Sequence, residues 1–148
     1  MSWVIKQFDE LTLRELYAIL QARTNVFVVE QNCPYNEVDG KDIPSYHVFK
    51  KEKEEIVAYL RVLPKGVSYS EASLGRIIVH PSYRRTGLGQ ELVSRGLAFL
   101  HEELNETTVK IQAQSYLQDF YESFGFKQIS KEYLEDGIPH IDMLLKKE

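Results

Sequence analysis

The chain has 148 residues, 43% of them hydrophobic and 27% charged, with a formal net charge of -4 at pH 7. That length suits one domain, taken as 1–148, and lets roughly two thirds of the unfolded chain's surface be buried, while the composition excludes a collagen-like or disordered chain. The acidic balance argues against a nucleic-acid duplex as main partner, because phosphate contacts supply most of such affinity, and the single cysteine, Cys33, excludes an internal disulfide and a cysteine-rich metal site.

The opening residues, MSWVIKQFDE, hold no apolar signal-peptide core, and charges interrupt every apolar run before membrane-spanning length, so a cytoplasmic protein without membrane contact is expected. WVIKQF at 3–8 reads as a strand, after which Leu13, Leu16, Tyr17, Leu20 and Phe27 recur at helical spacing to about residue 28. From Glu30 to Pro44 two prolines, a glycine and four acids give loop composition. SYHVFKK and EIVAYLRVL around the charged EKE form a hairpin pattern, and ASLGRIIVH supplies a third strand. Past RRTGLGQ, the residues Leu88, Leu92, Val93, Leu97 and Leu100 mark one face of a helix ending near Leu104. TVKIQAQ is then a strand, YLQDFYES a short helix, and GFKQISKEYL and IPHIDMLLK two strands around an Asp136-Gly137 turn. The order β, α, β, β, β, α, β, α, β, β predicts an α/β (α+β) fold, a mixed central β-sheet of about six or seven strands flanked by helices on both faces.

The loop RRTGLGQ, Arg84 through Gln90, stands between a strand and a helix start. Glycines let a backbone bend or a ligand approach, helix starts leave N–H groups unpaired, and two arginines beside them suggest an anion. No GxxxxGK[ST] string is present, and Gly87-Leu88-Gly89 lies too far from the strand for a dinucleotide fingerprint. What remains is R-x-x-G-x-G, a string that could also be a glycine turn that merely starts a helix.

GRIIVHPSYRRTGLGQELV, followed by QAQSYLQDFYESFGF, resembles the two signature segments of the Gcn5-related N-acetyltransferases (GNAT), and TNVFVVEQNCPYNEVDGKD and EDGIPHIDM are similar to the ElaA-like branch of that superfamily. The resemblance spans nearly the whole chain. It implies a GNAT fold and acetyl transfer from acetyl-coenzyme A to an amine, with no metal. The pyrophosphate would sit on the N–H groups of Arg84, Arg85, Thr86, Gly87, Leu88, Gly89 and Gln90. The pantetheine arm would pair like an added strand with Ile77, Ile78 and Val79, where family precedent implies a splay, and an N–H near Val79 would stabilise the oxyanion of a tetrahedral intermediate. Gln114 stands where many members carry a cofactor-contacting asparagine. Tyr121, at the family's general-acid position, is the candidate proton donor to the leaving thiolate and a cofactor contact; an ordinary tyrosine at pKa about 10 is not far above a thiol at about 8.5. Its competing role is that of a buried tyrosine satisfying a backbone group.

The attacking amine must lose a proton, and His140 in GIPHIDM is the candidate general base, with a purely structural histidine as the alternative. His80 reads as loop-shaping, His47 as ambiguous and His101 as a solvated helix-end residue. Glu30, Glu37, Asp39 and Asp42 either line an acceptor entrance, Glu30 also serving as alternative base, or form a solvated loop. Arg61 and Arg76 interrupt apolar strand runs, so each should meet an acid of the chain or a substrate carboxylate. Cys33 reads as a packed or partly exposed thiol rather than an acyl relay. The leading expectation is an enzyme acting on a small-molecule amine, with a protein lysine or N-terminus, or a non-catalytic coenzyme A sensor, as alternatives. A homodimer is consistent with the family. An RNA-phosphate site using Arg84 and Arg85 would need a basic, aromatic-lined surface and is opposed by the acidic charge.

Overall fold

The computed structural model of the chain describes residues 3–32 and 36–147. β1 (Val4–Gln7), β2 (Tyr46–Glu52), β3 (Glu55–Leu63) and β4 (Ser73–Val79) form one antiparallel sheet in the order β1-β2-β3-β4. β5 (Thr108–Gln114), β6 (Lys127–Gln128), β7 (Tyr133–Glu135) and β8 (Ile138–Lys146) form a second, in which β8 pairs with the other three. The halves meet along the backbone at a parallel bridge between Ala72 and Val109, beside a hydrogen bond from the Lys110 N–H to the Ala72 carbonyl of 2.9 Å. The mixed sheet is therefore two antiparallel halves joined at one narrow place.

Alternation along β3 from Ala58 to Val62, with an irregularity at Val57 that returns Ile56 to the face of Tyr59, explains the helices on both faces. Ala58, Leu60 and Val62 point into the larger core, where α2 (Leu88–Ala98) packs through Leu88, Leu92, Val93 and Leu97. Ile56 and Tyr59 share the smaller core with Ile19 and Val26, the first on α1 (Leu13–Arg23) and the second on the wider π-turns that extend it over Thr24–Glu30. α3 (Gln118–Glu122) follows β5 and presents Tyr121 to the larger core.

Two sequence expectations are corrected. The inward stripe of α1 is not Leu13 and Tyr17, which are exposed, but Glu15, Ile19 and Arg23. A buried arginine interrupts the apolar pattern because its charge is neutralised by acids from a distant loop, which helical periodicity does not register. The strand expected over 125–134 is also interrupted. Gln128 pairs with Met143 and Tyr133 with His140, so four residues, 129–132, face two on β8. Within that detour the Ser130 hydroxyl accepts a hydrogen bond from the Asp142 N–H at 2.9 Å, in place of a ladder carbonyl. The Asp136-Gly137 turn joins β7 to β8 with φ of 52° and 77°, the positive pair that a two-residue hairpin turn requires.

Candidate active site

β4 and β5 diverge beyond the Ala72–Val109 bridge, and the gap between them becomes a cleft of about 760 Å³. The backbone on its β4 side has a definite polarity. The His80 N–H donates to the Val57 carbonyl of β3 at 2.8 Å, so alternation turns the N–H and C=O groups of Ile77 and Val79 away from β3, toward the cleft. Ile77, Ile78 and Val79 all line it, as do Gly89, Arg84, Gln114, Tyr121 and His140.

The loop after β4 passes through a 3₁₀ turn at Pro81–Tyr83 and reaches α2 with Gly87 as N-cap. Gly87 has φ of 85° and no side chain to cap the helix, so the first-turn N–H groups of α2 have no side-chain acceptor at that position. Gly89 has a different reason for being small: a Cβ there would lie 3.5 Å from Val79 Cγ2 and 3.9 Å from Phe120 Cζ, at the seam between α2 and the cleft. These features fit an anion at the helix start. Arg85 adopts φ of 65°, and the Thr86 hydroxyl donates to the Tyr83 carbonyl at 2.5 Å. Arg85, Thr86, Gly87, Leu88 and Gln90 stay outside the lining of the cleft proper, while Arg84 reaches into it.

Arg84 is already engaged. Its Nε donates to the Val79 carbonyl at 3.0 Å, and its two terminal nitrogens grip Glu30 at 2.6 and 2.9 Å. The guanidinium beside Glu30 holds that carboxyl below its ordinary value, whereas a base working near neutral pH would need the opposite shift. That direction is opposite to the one the alternative-base reading of Glu30 needs.

Tyr121 is buried, with Phe120 edge-on at 5.1 Å and Phe126 edge-on at 6.0 Å. Burial pushes its hydroxyl well above the ordinary tyrosine range, so equilibrium proton loss is harder than for a free phenol. Gln114 closes β5 directly opposite His140 on β8. His140 Nδ1 lies 2.7 Å from the Ile138 carbonyl. A carbonyl only accepts, so Nδ1 carries the hydrogen and the neutral ring keeps its lone pair on Nε2. The ring of Tyr133 stacks on this imidazole at 6.4 Å, its hydroxyl accepting from Gln112 at 2.9 Å and donating to Asp142 at 2.5 Å.

Arg61 and Arg76 find acids of the chain. Arg61 contacts Asp39 at 2.7 Å and Asp42 at 3.0 Å; Arg76 contacts Glu37 at 2.8 Å and Asp39 at 3.4 Å. Arg23 completes the set, donating to Glu37 at 2.5 Å and Asp42 at 2.6 Å. Three arginines from α1, β3 and β4 thus meet three acids from the 36–45 loop, and Glu37 and Asp42 are buried. The loop is therefore not a solvated one but a clamp over the sheet, with Asp39 among the residues lining the cleft. Neither Arg23 nor the Tyr133, Asp142 and Gln112 cluster was legible at the outset. A usable signal did exist, since three interior arginines call for three interior acids and the loop holds them.

The other histidines are structural. His47 is buried, its Nε2–H donating to the Asp42 carbonyl at 3.0 Å and its Nδ1 accepting from the Tyr59 hydroxyl at 2.7 Å, and burial lowers its proton affinity. His80 Nδ1 caps the 3₁₀ turn by accepting from the Ser82 N–H at 3.1 Å. His101 Nδ1 lies 2.7 Å from the Glu106 carbonyl. Cys33 lies outside the described residues.

Comparison with known proteins adds to this geometry. The family described as "Acetyltransferase (GNAT) domain" matches residues 17–147. Protein ElaA of Escherichia coli is 41% identical over 145 residues, covering 97% of this chain and 95% of that protein. A Schizosaccharomyces pombe protein known as UPF0039 protein C11D3.02c is 40% identical over 148 residues, 99% of this chain and 97% of its own. The crystal structure of an acyl-CoA N-acyltransferase from Pseudomonas aeruginosa superposes with a TM-score of 0.92 at 41% identity, covering 98% of this chain and 99% of that one.

Proposed function

Because the chain belongs to the Gcn5-related N-acetyltransferase (GNAT) family and is an acyltransferase, we propose that it moves an acetyl group from acetyl-coenzyme A to the primary amine of a small molecule, by direct attack within a ternary complex. One observation carries this reading: a strand edge with no neighbouring strand alongside residues 77–79 among the described residues, a helix start without a side-chain cap, a buried tyrosine and a histidine of fixed tautomer come together around a single cleft.

When bound, the donor supplies an activated thioester carbonyl. The N–H groups from Arg84 to Gln90 take its pyrophosphate at the positive end of α2, and Gln114 supplies a side-chain amide. Ile77 and Val79 pair with the amide-bearing arm, with Ile78 turned into the sheet behind them, and the N–H near Val79 polarises the carbonyl. Tyr121, kept protonated by its burial, gives a proton to the sulfur as negative charge develops there. His140 accepts the amine's proton at Nε2, and its Nδ1–H bond to Ile138 keeps the ring from presenting the wrong nitrogen. Glu30, Arg61 and Arg76 stand at the acceptor wall as charges already held in place. The setting proposed is the cytoplasm; no helix among the described residues is long and apolar enough to cross a membrane.

The test is thiol release from acetyl-coenzyme A across amines, amino acids, polyamines and lysine-containing peptides. Acceleration by a small amine, with the acetylated product seen by mass spectrometry, is expected. Release that no amine accelerates, or that peptides alone accelerate, sinks the proposal.

A further inference from the structure

β4 changes direction at Arg76. The φ of 50° there is left-handed, a region that a residue with a Cβ other than Asn or Asp rarely adopts. Gly75 pairs with Arg61 and Ile78 with Tyr59, so Arg76 and Ile77 together stand opposite Leu60 in a β-bulge. In an unbroken strand Leu74 and Ile78 would share a face. Here Leu74 joins the core beneath α2 and Ile78 the core beneath α1. The apolar pattern therefore requires an extra residue between them, but it does not hold that residue in its conformation.

The acceptor-side loop does. Arg76 Nε lies 2.8 Å from Glu37 Oε1, and its Nη2 donates to the Glu37 carbonyl at 3.1 Å and to Asp39 at 3.4 Å. Neither acid depends on Arg76 for its charge balance, because Glu37 is also bound by Arg23 and Asp39 by Arg61. The side chain is 19% exposed and borders the cleft, next to the residues whose N–H groups face it.

We propose that Arg76 is a positioning residue for acyl transfer: anchored by Glu37 and Asp39, it holds the β4 bulge in the left-handed conformation and so aims the N–H groups of Ile77 and Val79 at the donor, that of Val79 at its thioester carbonyl. The inference rests on the reading that this edge takes the acetyl donor. It gives Arg76 a backbone task in place of contact with a substrate carboxylate, and it makes the 36–45 loop part of the apparatus that orients the donor.

Three substitutions separate a backbone role from a side-chain role. Arg76→Ala removes the anchor and leaves a residue that resists positive φ; Arg76→Gly and Arg76→Asn remove the same anchor but tolerate that φ. Arg76→Ala should lose on the order of 10²-fold in kcat, as a misplacement of about 1 Å can, with the acceptor KM unchanged. Arg76→Gly should recover most of that loss, and Arg76→Asn part of it should the glycine variant not fold. An alanine variant as fast as wild type, glycine and asparagine variants as slow as alanine, or a defect confined to acceptor KM each overturns the proposal. Amide NMR shifts of residues 75–80 need no turnover and therefore judge the inference even if the acetyl donor is wrong. Shifts displaced in Arg76→Ala and returned toward wild type in Arg76→Gly are expected, and wild-type shifts in Arg76→Ala overturn it. Absence of acetyl-coenzyme A binding by wild-type protein in calorimetry would instead count against the function proposed above.

Discussion

At Tyr121 the surroundings and the assigned task agree in sign. Desolvation makes the phenol reluctant to ionise and keeps it in the protonated form, which the proposed role needs: a proton held until charge develops on the leaving sulfur. Tyr121→Phe preserves the edge-on contacts with Phe120 and Phe126 and removes only the hydroxyl. Turnover should fall by about 10²–10⁴-fold while calorimetric affinity for acetyl-coenzyme A stays within about twofold of wild type. Unchanged single-turnover rates would reduce the residue to packing. For His140 the readout is a pH profile: His140→Ala should lose both rate and the rise of kcat/KM with pH, whereas Glu30→Gln should keep that rise, because Glu30 is held ionised by Arg84. If the rise disappears in Glu30→Gln and survives in His140→Ala, the two assignments are exchanged.

At the scale of elements, the glycine loop makes a graded prediction. Gly89→Ala adds a Cβ at ordinary contact distance from Val79, while Gly89→Val places branches where α2 meets the cleft. Acetyl-coenzyme A affinity should be nearly kept in the first and fall at least about tenfold in the second, roughly the 1.4 kcal/mol that such a factor represents. Equal calorimetric affinities in folded variants would remove the loop from the donor site. This loop was legible in the sequence because its determinants are local: glycines, a helix start and the apolar stripe from Leu88 to Leu100 all lie within a few turns of one another. The strand TVKIQAQ was equally clear and is β5 to the residue. What local pattern could not supply was anything set by residues distant in sequence. The buried face of α1 depends on Arg23 meeting Glu37 and Asp42, and the break between β6 and β7 depends on the Ser130 hydroxyl reaching the Asp142 N–H. The tautomer of His140 has a local cause, the Ile138 carbonyl two residues away, yet it follows from geometry that composition does not encode.

Across the whole molecule, the ionic clamp ties stability to pH. Burial alone would raise the Asp39 and Asp42 carboxyls, but hydrogen bonds and charges, from Arg61 and Arg76 at Asp39 and from Arg23 and Arg61 at Asp42, outweigh it and hold both below the ordinary range. Groups lowered in this way stabilise the fold fully above the carboxylate range of the unfolded chain, near pH 4, and lose that contribution as pH falls through their folded values. Thermal melts should therefore weaken on the acid side, and Asp42→Asn should flatten that dependence. The same substitution should cost about 1.5–3 kcal/mol at neutral pH, because Arg23 and Arg61 each lose a buried charged hydrogen-bond partner while Glu37 and Asp39 still balance their charges. A chemical-denaturation difference below about 1 kcal/mol would contradict the clamp's role.

The grip of Arg84 on Glu30 has a thermodynamic consequence that reaches across the cleft. Under the proposed reading Arg84 belongs to the donor loop and Glu30 ends the helical segment on the acceptor side, and the pair joins them at 2.6 Å. A phosphate that attracts Arg84 must share the guanidinium or release Glu30, and either event changes the field that an incoming amine meets. Linkage then requires reciprocity: whatever factor donor occupancy applies to acceptor affinity, acceptor occupancy returns to donor affinity. Calorimetric titrations in both orders, using a non-reactive donor analogue, should give that common factor, and Glu30→Gln should bring it closer to one.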